Sequence, residues 1–149
     1  MEKRWCNEMN EKEYLSQALR IDQRINSKLE QVASLRELAV KASSTLSDTP
    51  RRASPEIQPM EATIVKIVDL EAEINSDIDQ LVDLKKELVG VIKAVRNPEY
   101  QTLLELRYLC FKNWGQISAM MRYSAKHVFY LHGKALEAIS VPKSSYLLG

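Results

Sequence analysis

His127 and His132 have the widest chemical repertoire in this chain, since a histidine can move protons near neutral pH or ligate a metal. Five residues along a helix correspond to about 500° of rotation, so the two rings do not share a face. Neither has a cysteine or carboxylate at ligand spacing. Cys6 and Cys110 are far apart in unrelated contexts, which excludes a disulfide scaffold and a zinc knuckle and fits a reducing cytosol. No phosphate-cradling glycine loop, nucleophile elbow or HExxH pattern occurs. The expectation is a protein that is not an enzyme, with no catalytic residue, no metal and no cofactor.

The same stretch offers a different chemistry. Lys126, His127, Tyr130 and Lys134 combine cations with ring hydrogen-bond donors, the groups that meet phosphates and base edges. To act together they need one helix to carry them. Ser124 is an N-cap and Pro142 a stop, so a helix runs from Ser124 to about Ile139. Before it, Asn113 with Gln116 three residues later forms a capping box that opens a helix through Met121. The short turn Arg122, Tyr123, Ser124 joins the two as a helix-turn-helix. Ile117, Met120 or Met121, Val128 and Leu131 form its shared core, and Ser118 is small enough to let the helices cross closely. In this motif the second helix lies in the major groove with its early residues at base edges, while the first rests on phosphates. Lys126, His127, Tyr130 and Lys134 then face outward. His132 turns inward with Val128 and Ala135 as a core histidine, Trp114 and Phe111 close the small core, and Cys110 is expected to be a buried apolar thiol. Tyr123 has two open roles, phosphate contact or turn plug.

A third helix precedes the pair. Asn97 caps it, Pro98 fits its first position, and Glu99 to Cys110 carry Leu103, Leu104, Leu106, Tyr108 and Leu109. Upstream, Tyr14, Ala18, Ile21, Ile25, Lys28, Val32, Leu35 and Ala39 alternate in steps of four and three, a helical stripe widened by Leu15, Leu19 and Leu29. Asn10 with Glu13 opens this helix, which spans Glu11 to Ala42. The stretch from Ser43 to Pro59 holds three of the five prolines and reads as a linker. The stepping resumes at Met60, Ile64, Ile67, Glu71, Ile74, Ile78, Leu81, Lys85, Leu88, Ile92 and Val95. Two long helices of matching length fold back as an antiparallel hairpin, with Glu71 and Lys85 either snorkelling or pairing at the seam edge or fixing the register between chains. Val65, Val68, Leu70, Val82, Leu84, Val89 and Val91 give the second helix more apolar width than one partner covers. The C-terminal unit or a second copy of the chain must pack there, and the second copy, making a four-helix bundle, is favoured. The expected organisation is an N-terminal extension over 1–9, a helical hairpin over 10–96 with its linker at 43–59, a helix-turn-helix domain over 97–141 and a tail over 142–149.

Charge divides along the chain. The 149 residues hold 21 lysines and arginines against 20 acids, which excludes a strongly basic histone-like binder and an acidic tail protein. From Pro98 to Gly149 there are six basic residues against three acids, whereas the second hairpin helix from Glu61 to Glu87 holds eight acids against three lysines. A small basic excess gives weak phosphate binding at physiological salt, and dimerisation or a partner already on DNA strengthens it. No apolar run approaches the roughly 20 residues of a membrane span, and the start has no secretory apolar segment, so a cytoplasmic location is expected.

The run LLELRYLCFKNWGQISAMMRYSAKHVFYLHGKALEAI resembles the fourth region of sigma-70-type bacterial sigma factors. The matching residues are Leu106, Arg107 and Tyr108, then Gln116, Ile117 and Ser118, then Ser124, and finally His132, Ala135 and Leu136. The whole chain, including KEYLSQALRIDQRINSKLEQVASL and KIVDLEAEINSDIDQLVDLKKEL, is similar to a family of unknown function encoded by phages and prophages of Gram-positive bacteria. The resemblance implies a phage transcription regulator. It places Lys126, His127 and Tyr130 among the DNA-reading residues and Asn113 and Gln116 among the backbone contacts. Lys134, Lys112 and Arg122 complete the expected DNA-binding set. Arg122 occupies a turn position usually held by glycine, where left-handed backbone costs another residue about 1 kcal/mol. The recognition helix is less basic than usual, and no polymerase-binding second region is visible, which argues against a stand-alone sigma factor. The expected fold is all-α, a long coiled-coil-like helical hairpin followed by a three-helix sigma-like domain. The expected partners are double-stranded DNA, a second copy of the chain and host RNA polymerase, with no membrane. The competing reading is a non-catalytic interaction protein that binds a phage or host protein such as a polymerase subunit.

Overall fold

The computed structural model describes residues 10–48 and 54–142, with backbone alone at 43–48 and 54–59. The expected extension over 1–9, residues 49–53 and the tail beyond 142 lie outside the described residues. Every regular element described is helical: α1 Glu11–Asp48, α2 Ser54–Lys93, α3 Pro98–Leu104, a π-helical turn Glu105–Leu109, α4 Trp114–Met121 and α5 Ala125–Glu137. Among the described residues no helix is long and apolar enough to cross a membrane. The hairpin helices run further than the sequence suggests. Residues 43–48 continue α1, and α2 begins at Ser54 inside the expected linker. Serine and threonine are tolerated in helices, and Pro55 falls in the first turn, where its missing N–H would have no partner anyway.

The chain forms two compact units, one made of residues 21–80 and the other of 81 onward together with the start of α1 up to Arg20. In the first unit, α1 and α2 are antiparallel, since Arg24 and Lys28 pair with Asp77 while Arg36, further along α1, pairs with Glu71, further back on α2. Ile21, Ile25, Val32, Ile67 and Ile74 are buried between them. The seam of α2 is rotated from the expected stripe. Ile64 and Ile78 are exposed, and Asp77 lies in the seam beside Ile74. The reason is Lys28, a seam position on α1. Its ammonium sits 2.8 Å from an Asp77 oxygen and 3.2 Å from Glu73, so the carboxylate is drawn inward and Ile78 turned out. These acids hold the Lys28 ammonium above its ordinary pKa, with the Asp77 hydrogen bond the largest cause. Glu71 pairs at the seam edge as expected. Leu29, Val65 and Val68 remain exposed.

In the second unit, the start of α1 and the end of α2 pack with the C-terminal helices. The Asn10 and Glu13 capping box is formed, with each side chain accepting from the other's backbone N–H. Tyr14 is fully buried and donates its hydroxyl to Glu87 at 2.7 Å. Leu15, Ala18, Leu84, Leu88, Ile92 and Val95 are buried with it. Gln101 of α3 donates to the Lys93 and Val95 carbonyls, and the Lys85 ammonium lies 4.6 Å from the Phe111 ring centre. At this end of α2 the C-terminal unit, one of the two expected covers, packs against the helix, while Val82 and Val89 stay exposed.

Candidate functional site

Each helix of the C-terminal unit starts where its side chains end the chain's backbone deficit. Asn97 accepts from the N–H groups of Glu99 and Tyr100, with Pro98 inside the first turn of α3. Asn113 and Gln116 form a reciprocal capping box on α4, and Ser124 Oγ accepts from the His127 N–H at 3.1 Å on α5. The turn between α4 and α5 is Arg122, Tyr123, Ser124. Arg122 is left-handed, φ 63° and ψ 40°, the conformation its position requires and a glycine would adopt more easily. The Ser118 hydroxyl donates to the Tyr123 carbonyl and ties the turn to α4.

Leu103, Ile117, Val128 and Leu131 form the core, with Trp114, Met121 and Tyr123 partly buried against it. Met121 is therefore the methionine that joins the core, and Met120 is more than half exposed. The helix expected to continue to Cys110 widens after Leu104 into the π-helical turn, closed by Cys110 N–H to the Glu105 carbonyl at 2.9 Å. The wider turn points Tyr108 into the interior, where its hydroxyl shares a 2.7 Å hydrogen bond with His132 Nε2. Both are buried, so His132 is the core histidine its position suggested. Burial, followed by the nearby Lys12 and Arg107 charges, lowers its pKa from 6.5 to about 4. Burial raises Tyr108 to about 12 against a smaller opposing effect of Arg107. Arg107 packs its guanidinium 4.5 Å from the centre of Trp114 and donates to the Lys112 carbonyl. Cys110 departs from expectation. It is exposed, because it follows the last residue of the π-helical turn, where the chain leaves the core and Phe111 takes a left-handed φ of 59°.

The outward face of α5 carries Lys126, His127, Tyr130 and Lys134, all exposed. His127, Tyr130 and Lys134 are joined to the turn by ring contacts. Tyr123 meets His127 edge-on at 4.5 Å, His127 stacks on Tyr130 at 6.0 Å, and the Lys134 ammonium lies 5.8 Å from the Tyr130 centre. Tyr123, His127, Tyr130 and Lys134 are spaced four, three and four residues apart, so this ladder was readable as one helical row. The two open roles of Tyr123 resolve toward the turn. It is partly buried and gives its hydroxyl to Glu99, whose carboxylate raises its pKa. Arg122 is exposed beside the ladder's start. Lys112, Asn113 and Gln116 belong to the opposite end of α4. Lys112 is half-buried, and Asn113 and Gln116 are exposed but commit their side-chain oxygens to the capping box, which leaves their amide NH2 groups to meet an anion.

One feature of this surface was missed from sequence. Phe129 is 52% exposed and meets the Trp114 edge at 5.2 Å, so an apolar flank lies beside the ladder. Its signal was Phe129 falling one position past the inward Val128. Among the described residues no group of three His, Cys, Asp or Glu side chains could hold a metal ion. The arrangement offers cations, ring faces and hydrogen-bond donors on one convex helix. No family model, no curated protein and no solved structure matches the chain.

Proposed function

We propose that this chain is a sequence-specific, double-stranded-DNA-binding transcription regulator of phage or prophage origin, acting in the bacterial cytoplasm. The single observation that carries the reading is the α5 ladder. A Ser-capped helix follows a three-residue turn and presents Lys126, His127, Tyr130 and Lys134 to solvent, while its other face is anchored by Val128, Leu131 and Ala135. A helix so held can enter a major groove as a rigid body, with Lys126 and His127 at base edges, Lys134 at phosphate, and Arg122 at the flanking strand. The residual apolar surface of the hairpin, Leu29, Val65 and Val68 among it, supports dimerisation, which doubles the few phosphate contacts of a single unit. Host RNA polymerase is the further partner this reading implies.

The test is a mobility-shift assay on duplexes selected from a random pool, run at two salt concentrations. Lys126→Ala and Lys134→Ala are each expected to weaken binding, and loss of a phosphate contact lowers the salt slope by about one. Unchanged affinity in both variants contradicts the assignment of the reading face. The exposed Phe129 and Met120 favour a second reading, a protein-docking module without DNA affinity. Absence of any selected duplex together with a tight protein complex supports that alternative.

A further inference from the structure

Gly133 stands in the interior of α5, where glycine is the least favourable residue after proline. Nothing among the described residues accounts for it. Its φ is not positive, so it is not there for a left-handed backbone. Among the described residues a Cβ built on it meets no atom within 4 Å, so no described neighbour demands its smallness. It is exposed, and it lies seven residues after Lys126, three after Tyr130 and four before Glu137, which puts all four on one outward row. A bare stretch of helix backbone thus interrupts a row that begins with a cation and a phenol and ends with a carboxylate.

We infer that Gly133 is a close-approach residue, where the sugar-phosphate strand of a bound duplex crosses α5 nearer than any side chain would allow. This rests on the reading of α5 as a DNA-contacting helix. The chemistry of the row selects the partner. Lys134 beside the gap attracts an anionic strand, and the Tyr130 hydroxyl can donate to it. Glu137 repels the strand one turn later, so the strand leaves the helix over Gly133. Glycine permits such approach because the Cα surface is open to van der Waals and Cα–H···O contact.

The full-length chain tests this with Gly133→Ala and Gly133→Gln, and with Gly90→Ala as control, since Gly90 is a second exposed helical glycine with equally open surroundings. Alanine and glutamine are better helix formers, so each variant should unfold at or above the temperature of the unaltered protein. Affinity for a duplex selected by the unaltered protein should fall about fivefold for alanine and about thirtyfold for glutamine, with Gly90→Ala unchanged. If the unaltered protein binds the duplex and both Gly133 variants match it, the inference is overturned while the DNA reading stands. If the unaltered protein binds no duplex, both fall. If duplex affinity is kept but a protein partner is lost, the row faces protein and the inference is overturned.

Discussion

Replacing His132 with leucine will flatten the acid side of the stability profile. The buried ring is held neutral, its pKa lowered from 6.5 to about 4 by desolvation, then by Lys12 and Arg107. In the unfolded chain the ring takes a proton as pH falls through 6.5, whereas in the fold it does not until about 4. The unfolded state therefore binds more protons across that window, and stability is full above 6.5 and declines as pH drops toward 4. The full difference corresponds to a ceiling of about 3 kcal/mol, and residual solvent around the ring reduces this to about 2 kcal/mol. Urea unfolding followed by circular dichroism between neutral pH and about pH 4 measures it. The unaltered protein should lose about 2 kcal/mol more than His132→Leu over this range. Carboxylates contribute equally to both and cancel in the comparison. Leucine leaves the Tyr108 hydroxyl without its partner, so the baseline falls, and pairing it with Tyr108→Phe restores a foldable reference. Ring titration by NMR gives a direct readout on the unaltered chain. Parallel stability profiles, or a His132 ring titrating at the ordinary histidine value, refute the reasoning.

Arg122→Gly should relieve about 1–2 kcal/mol of left-handed strain, offset by about 0.4–1 kcal/mol of added unfolded-chain entropy. The net gain of roughly 0.5–1 kcal/mol appears as a thermal midpoint higher by about 2 °C, with DNA affinity lower for want of the guanidinium. Ser124→Ala removes the acceptor for the His127 N–H and should cost about 1 kcal/mol, or about 2–4 °C in calorimetry. In the hairpin, Asp77→Leu removes the closer of the two carboxylates that Lys28 meets and should lower the thermal midpoint, while adding Lys28→Met should restore it. Additive effects of the two changes would contradict the pairing.

Much of this architecture is written locally. Asn10 with Glu13, Asn97 with Pro98, Asn113 with Gln116, and Ser124 all cap the helices they were read to cap, because capping is decided within four residues. Tyr14, Ala18, Ile21, Ile25 and Val32 of the α1 stripe are buried for the same reason of short-range periodicity. What sequence left hidden depends on distant partners. Asp77 entered the seam because Lys28 faces it across the hairpin, a pairing no local pattern contains. The π-helical turn and the exposure of Cys110 follow from Tyr108 reaching His132, twenty-four residues later. Proline and serine content between Ser43 and Pro59 suggested a break longer than the helices allow, since both residues are disfavoured in helices yet tolerated near their ends.

The charge buried between the hairpin helices also dictates what the pair cannot do. Sliding one helix along the other by a heptad would bring Asp77 opposite Leu35 or Ile21 and leave a bare carboxylate against hydrocarbon. Greasy seams permit such slippage at small cost, whereas this one tolerates a single alignment. Residues inserted between α1 and α2 will accordingly bulge in the connection, and the pair will keep its keyed position like a ratchet with one tooth.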